Sequence, residues 1–240
     1  MFPSNAHPHH HFLSLEAVVA GLVELHSQAL HELNSGFGSE AEELLVTNLK
    51  LAIQYLKSDN GINEDHQQNT YSRHFPALLE CPMEEVIVDA ETKYPETCFA
   101  FYRNMFHFHD LSPNRGGTPR EQLRVFVAMV YYNLGIFYHE TAYSHYDFSG
   151  LTKARWHYRK AIQYVKTVPN LTPVASVLEI AAHNNMGQTY AFFGDTAGIL
   201  ACREGLELAL RNQTHSPTIL FFVQSLTLAQ SYVPPLAQAA

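Results

Sequence analysis

Apolar side chains recur along most of the chain at spacings of three and four residues, the pattern of helices that bury one face. This spacing predicts two helices within residues 13–61, which turn near Gly36 and form an antiparallel hairpin. It returns at residue 118 and predicts two more hairpins and a single closing helix within 118–240. The sequence therefore predicts seven helices and an all-α fold, in one continuous domain that covers 13–233.

Two stretches of the chain lack the helical spacing. Residues 62–117 contain four prolines and two segments rich in β-branched and aromatic residues, EEVIVDAE and CFAFYRNMFHF. We interpret this stretch as an irregular insertion that can carry two short strands, as in a small β-hairpin. Residues 1–12 contain four histidines, and we interpret them as a disordered polar leader, with a metal-binding tract as the alternative.

Two short segments resemble each other, YYNLGIFY at 131–138 and HNNMGQTY at 183–190. Each has an Asn, then Leu or Met, then a Gly, and a Tyr three residues after the Gly. A glycine inside a helix costs about 1 kcal/mol relative to alanine. It is tolerated where a neighbouring helix packs too closely for a Cβ atom. The repeat therefore predicts close helix contacts at Gly135 and Gly187.

This pattern resembles the tetratricopeptide repeat, a helix–turn–helix unit with Leu-Gly and Tyr in its first helix. The resemblance covers 118–232, whereas the 13–61 hairpin fits such an array by shape only. Two departures are a long loop inside the first unit, and Ile199 and Gly205 in the second helix of the second unit. The residues that match the packing positions are Tyr131, Leu134, Gly135, Tyr138, Ala154, Tyr158, Ala161, Met186, Gly187 and Tyr190.

The resemblance implies a short α-solenoid, because stacked hairpins form a superhelix whose concave side is lined by the first helix of each hairpin. It also implies a non-catalytic scaffold that binds a peptide or helix of a partner protein there, with aromatic area and amide hydrogen bonds. Alternatively, Asn133 and Asn185 satisfy only backbone groups between repeats. The implied groove residues are Tyr132, Asn133, Ile136, His139, Asn184, Asn185 and Gln188.

Charge leads to a second hypothesis. The chain has 240 residues, with 15 Lys and Arg against 23 Asp and Glu, so a basic nucleic-acid module is not the default and nucleic acid is an unlikely partner. However, the helix predicted at 151–168 has basic residues and no acidic one, which suits an RNA or an acidic partner. Alternatively, these basic residues are simply the solvated outer face of the helix. The basic residues of this helix are Lys153, Arg155, Arg159, Lys160 and Lys166.

Fifteen histidines raise a third hypothesis, a metal-dependent enzyme that uses the His-rich insertion. His139 and Glu140 begin an HExxH pattern, but Tyr143 stands where the second histidine is required. His107 and His109 would share one face of a strand, but no third ligand follows from spacing. The sequence also lacks phosphate-binding glycine loops and nucleophile elbows. We expect no enzyme activity, no catalytic or metal-ligating residue and no cofactor.

The sequence also bears on where the protein acts. No apolar run reaches the roughly 18–20 residues needed to cross a bilayer. The first residues lack the charge pattern of a secretory or transit peptide. The three cysteines form no disulfide framework. We therefore expect a cytoplasmic protein with no membrane partner.

Overall fold

A computed structural model describes the chain at residues 15–58, 75–81, 98–112, 119–169, 173–211, 213 and 216–231. Within these residues there are seven helices and two strands. The helices are α1 (Leu15–Asn34), α2 (Gly38–Ser58), α3 (Pro119–Ser144), α4 (Ser149–Val165), α5 (Pro173–Phe192), α6 (Thr196–Leu210) and α7 (Pro217–Ser231). The strands are β1 (Phe75–Cys81) and β2 (Met105–Ser112). The prediction of seven helices and an all-α fold is confirmed.

The helices form because their apolar residues share one face and their ends have local partners. In α4, Leu151, Ala154, Tyr158, Ala161 and Val165 follow spacings of three and four and are all buried. The N-terminus of α6 is capped, since Asp195 Oδ1 accepts a hydrogen bond of 2.9 Å from the Gly198 N–H. The turn after α5 contains Gly194 at a φ of 67°, a conformation that suits glycine.

The helices pack in chain order, because each contacts the next one from α1 to α7. The odd-numbered helices also contact one another in sequence, α1 with α3, α3 with α5 and α5 with α7. Contacts of both kinds place α1, α3, α5 and α7 side by side. We call these four helices the odd-helix layer.

The two strands form an antiparallel sheet in which Cys81 lies opposite Met105 and Phe75 opposite Ser112. The register shifts beside Pro76, which has no N–H to donate to the partner strand. Strand β2 therefore overlaps the predicted segment CFAFYRNMFHF at residues 105–108 and continues beyond it, whereas β1 was not predicted. EEVIVDAE, at 84–91, and the leader lie outside the described residues.

Residues 98–107, which we call the core segment, lead into β2 and are largely buried. Cys98, Phe99, Tyr102, Met105 and Phe106 are each at most 6% exposed and belong to the same hydrophobic core as the helices. This part of the insertion is therefore part of the core of the fold and not a surface appendage.

The two glycines of the repeated motif have different neighbours. A Cβ atom on Gly135 would lie 2.5 Å from Cε1 of Tyr158, on the paired helix α4. A Cβ atom on Gly187 would lie 2.6 Å from Cε2 of Phe99, in the core segment. The expectation of a close helix was therefore wrong at Gly187, because an extended segment occupies the space beside it. The close approach of α5 and α6 depends instead on two glycines of α6, Gly198 against Tyr190 and Gly205 against His183.

Among the described helices, none combines the length and apolar character that crossing a bilayer requires.

Candidate functional site

Side chains of the odd-helix layer form hydrogen bonds with the main chain of the core segment. The first pair of bonds comes from α3. Asn133 Oδ1 accepts a hydrogen bond from the Phe106 N–H at 3.1 Å. Asn133 Nδ2 donates to the Phe106 carbonyl oxygen at 2.7 Å. One side-chain amide thus satisfies both main-chain groups of one residue.

The matching residue of α5 makes the same pair of bonds. Asn185 Oδ1 accepts from the Tyr102 N–H at 3.0 Å, and Asn185 Nδ2 donates to the Tyr102 carbonyl oxygen at 2.8 Å. Asn133 and Asn185 occupy equivalent positions of the repeated motif. The repeat in sequence is therefore also a repeat in hydrogen bonding, at two residues of the core segment that are four positions apart.

A third main-chain contact involves α5 and α7 together. The Ala100 carbonyl oxygen accepts from Asn184 Nδ2 at 2.7 Å, and the Ala100 N–H donates to Ser225 Oγ at 2.9 Å. Ser225 Oγ in turn donates to Asn184 Oδ1 at 2.5 Å. Side chains from α3, α5 and α7 therefore hold three residues of the core segment, Ala100, Tyr102 and Phe106.

Further hydrogen bonds orient the two amides. Asn133 Nδ2 also lies 2.9 Å from His26 Nε2, which must accept because Nδ2 has only protons to offer. His26 is therefore neutral, in keeping with burial and the neighbouring His107, which lower its pKa to about 3. Asn185 Nδ2 donates its second proton to Tyr132 Oη at 3.1 Å. Both amides are thus locked in one orientation.

Side chains of the core segment pack into aromatic surroundings. The Tyr102 ring lies 5.2 Å from that of Phe221 and 4.7 Å from that of Phe222, both on α7. The Phe106 ring lies 5.1 Å from that of Tyr132 on α3. Main-chain bonds select for an extended segment whatever its sequence, whereas these rings select for aromatic side chains.

The exposed edge of the core segment is also held. Arg103 Nε lies 2.8 Å from Glu140 Oε1, and Arg103 Nη2 lies 3.2 Å from Glu140 Oε2, which is a bidentate ion pair. The Phe101 ring lies 4.1 Å from the ring of His139, whose pKa is lowered by burial to about 3. The His-Glu pair that opens the incomplete HExxH pattern therefore contacts the core segment.

All seven implied groove residues are buried. Those with a hydrogen bond or ring contact to the core segment are Tyr132, Asn133, His139, Asn184 and Asn185. Ile136 is buried as well, and so is Gln188, whose Oε1 has no hydrogen-bond partner in the described part of the chain. Four of these side chains thus form hydrogen bonds with the main chain of this chain's own insertion, namely Tyr132, Asn133, Asn184 and Asn185.

The basic residues of α4 are divided between its two neighbours. Lys153 Nζ lies 5.1 Å from the centre of the Tyr138 ring on α3. On the other edge, Arg155 lies 4.8 Å above the Tyr190 ring of α5, and Arg159 Nη2 donates to Tyr190 Oη at 2.7 Å. In addition, Lys166, which follows α4 directly, has its Nζ 3.7 Å from Glu179 Oε1 of α5, and Lys160 donates to Gln163 within α4. The predicted basic face is therefore split into two edges.

Candidate metal ligands do not come together in the described residues, among which there is no group of three or more His, Cys, Asp or Glu side chains able to hold an ion. The side chain of His109 is not among those that the structure describes.

The sequence did not identify the core segment as the occupant of the predicted groove. Its alternating aromatic residues were a usable signal, because they indicate an extended segment with a buried face. Ser225 and His26 were missed as well. A single polar residue on a helix carries no spacing signal, and only the fold brings these two to the odd-helix layer.

No known family model matches this sequence, and no curated protein or solved structure shows significant similarity to it. The geometry of the odd-helix layer is therefore the basis on which a function is assigned.

Proposed function

We propose that this chain is a non-catalytic interaction scaffold, a tetratricopeptide-like solenoid whose concave face binds an extended segment of a partner protein. The observation that carries the proposal is the paired grip of Asn133 on Phe106 and of Asn185 on Tyr102. An amide that accepts from the N–H and donates to the C=O of one residue imitates the bonds of a neighbouring β-strand. Such a grip suits a ligand that arrives as an extended peptide.

In this proposal the core segment is a resident ligand, and the partner's segment takes its place. A tethered ligand has an effective concentration in the millimolar range, so a free peptide competes only if the resident is weakened or the newcomer fits better. The resident places Phe99, Tyr102 and Phe106 in buried positions. We therefore expect the partner segment to carry aromatic residues at the same spacings, three and then four.

The test uses the full chain and a fluorescent peptide of residues 98–108, with binding followed by fluorescence anisotropy. Phe99→Ala weakens the resident segment, so we expect this variant to bind the peptide about tenfold more tightly than the unaltered chain, a change of about 1.4 kcal/mol. Adding Asn133→Leu and Asn185→Leu should abolish that binding. A peptide with alanine in place of Phe99, Tyr102 and Phe106 should bind more weakly.

Phe148→Ala is the matched control, because Phe148 is an exposed aromatic residue outside the core segment. It should not alter peptide binding. If Phe99→Ala unfolds the chain, the milder Phe99→Leu replaces it. The proposal is contradicted if the Phe99 variant keeps its helical circular dichroism but fails to bind the peptide. It is also contradicted if this variant binds the peptide equally well after both asparagines are replaced.

A further inference from the structure

A cavity of about 390 Å³ lies where the ends of α2 and α4 meet the start of α3. Four basic side chains line it, Lys57 of α2, Arg120 and Arg124 of α3, and Lys160 of α4. No acidic side chain does so among the described residues. The chain as a whole has a net charge of −8, so the charge around this cavity is locally reversed.

Two of these cations are positioned by neutral partners. Arg124 Nη1 donates to the Thr167 carbonyl oxygen at 3.1 Å, which holds the guanidinium between α3 and α4. Lys160 Nζ lies 3.1 Å from Gln163 Oε1. Neither partner is a carboxylate, and no described residue forms an ion pair with Lys57, Arg124 or Lys160. Their positive charges are therefore available to a ligand.

The cavity also has an apolar wall, to which Leu56 and Tyr164 contribute. The Tyr164 ring is stacked at 5.6 Å on that of Tyr131, so it is supported from behind. A cavity of this volume is at the small end of the range of roughly 300–1,000 Å³ found for ligand sites. The ligand is thus expected to be compact, with a carbon framework as well as charge.

We infer that this cavity binds a compact molecule that carries several phosphate groups. Arginine forks and lysine ammonium groups are the side chains that bind phosphate oxygens, and clustered phosphates match several cations around one cavity. The positive end of the α3 dipole adds to the attraction, because Arg120 and Arg124 lie in its first two turns. The asparagines and the serine that hold the core segment are not among the described residues that line the cavity, so this site is separate from the proposed peptide face.

The experiment is isothermal titration of the full chain with inositol hexakisphosphate, at an ionic strength of about 0.15 M. We expect saturable binding that weakens about tenfold or more, about 1.4 kcal/mol, in the double variant Arg124→Gln and Lys160→Gln. The matched control is Lys50→Gln with Lys153→Gln. It removes the same charge from α2 and α4 at exposed positions that do not line the cavity. This control should bind as the unaltered chain does.

A second arm identifies the source of the phosphates, with sedimentation of vesicles that contain phosphatidylinositol bisphosphate. Co-sedimentation that the cavity variant abolishes supports the inference, with a lipid headgroup as the source. Binding of inositol hexakisphosphate in the titration, without co-sedimentation with the vesicles, also supports the inference, with a free metabolite as the source. The inference is overturned if inositol hexakisphosphate does not bind, if both double variants lose binding equally, or if a short single-stranded RNA displaces it at lower concentration.

Discussion

Helices α3 and α5 carry the same short motif, and its asparagine has the same role in both helices, whereas its glycine does not. Asn133 and Asn185 each hold the main chain of the core segment by two hydrogen bonds. Gly135 lies against an aromatic ring of the paired helix, whereas Gly187 lies against an aromatic ring of the core segment. An amide can grip the main chain of any residue, so its role is conserved between the helices. A glycine accommodates whichever ring comes closest, so its role depends on the neighbour.

The largest effect expected from this difference is on stability. Gly135→Leu drives a side chain into Tyr158, which is fully buried and hydrogen-bonded to His139, at 3.1 Å. We expect a loss of about 3 kcal/mol or more in the free energy of unfolding through overpacking. Gly187→Leu should cost less, about 1–2 kcal/mol, because an extended segment shifts more easily than a paired helix. Urea unfolding of both variants measures the difference.

Gly21 provides the matched control, since it lies within α1 and a Cβ atom there would meet nothing within 4 Å. Gly21→Ala should raise stability by up to about 1 kcal/mol, from helix propensity alone. Equal losses for the two leucine variants would remove the distinction between the glycines. Unaltered melting of both leucine variants would show that neither glycine is a point of close packing.

An intermediate effect is expected at the asparagines. Asn133→Leu removes both side-chain bonds to Phe106, and buried polar groups without partners cost about 1–3 kcal/mol each. We expect a loss of about 2–3 kcal/mol and faster hydrogen exchange at the Phe106 N–H than at the Tyr102 N–H. Asn185→Leu should reverse that order, since it holds Tyr102. Identical exchange patterns in the two variants would mean that the grips do not act separately.

The smallest of the three effects is the share of the pH dependence that His26 contributes at the α3 grip. His26 accepts from Asn133, and its pKa falls from 6.5 to about 3 on folding because it is buried. The unfolded chain therefore takes up a proton at higher pH than the folded chain does. His26 thus stabilises the fold fully above pH 6.5, and its contribution is lost as the pH falls towards 3. By pH of about 5 the loss is about 2 kcal/mol.

Unfolding measured against pH tests this expectation. His26→Gln should reduce the decline between pH 6.5 and about 5 by about 2 kcal/mol, while the share of the other buried histidines remains. His31→Gln, at an exposed position of the same helix, should not reduce it. Protonation of His26 should also loosen Phe106 before Tyr102. Parallel pH profiles for the unaltered chain and His26→Gln would show that His26 does not titrate as a buried neutral group.

The positions of the helices followed from the sequence because helical periodicity is a local property. The spacing of Leu151, Ala154 and Tyr158 in α4 is visible without any knowledge of the neighbours that bury them. Strand β1 did not follow from the sequence, since its pairing with β2 joins Phe75 to Ser112 across a long separation. The register of such a pair depends on contacts that local pattern does not encode.

The candidate site was anticipated in part. The repeated motif placed Asn133 and Asn185 at equivalent positions and suggested that they read a peptide backbone. The sequence did not show that this backbone belongs to the chain itself, because that depends on a contact between Tyr102 and Asn185, which are 83 residues apart. The cationic cavity was out of reach in the same way, because its four basic residues come from three helices. Only Lys160 among them belonged to the basic residues singled out on the helix predicted at 151–168.

Local chemistry along the chain thus determined where helices begin and end, which of their faces are apolar, and which amides recur at matching positions. Tertiary structure alone decided what those amides hold, which ring faces each glycine, and where four cations line a cavity that no described acidic residue lines. Periodicity reports the environment of each residue averaged over its own helix. The identity of a contact depends on how distant segments compete for the same buried space, and the folded chain resolves that competition as a whole.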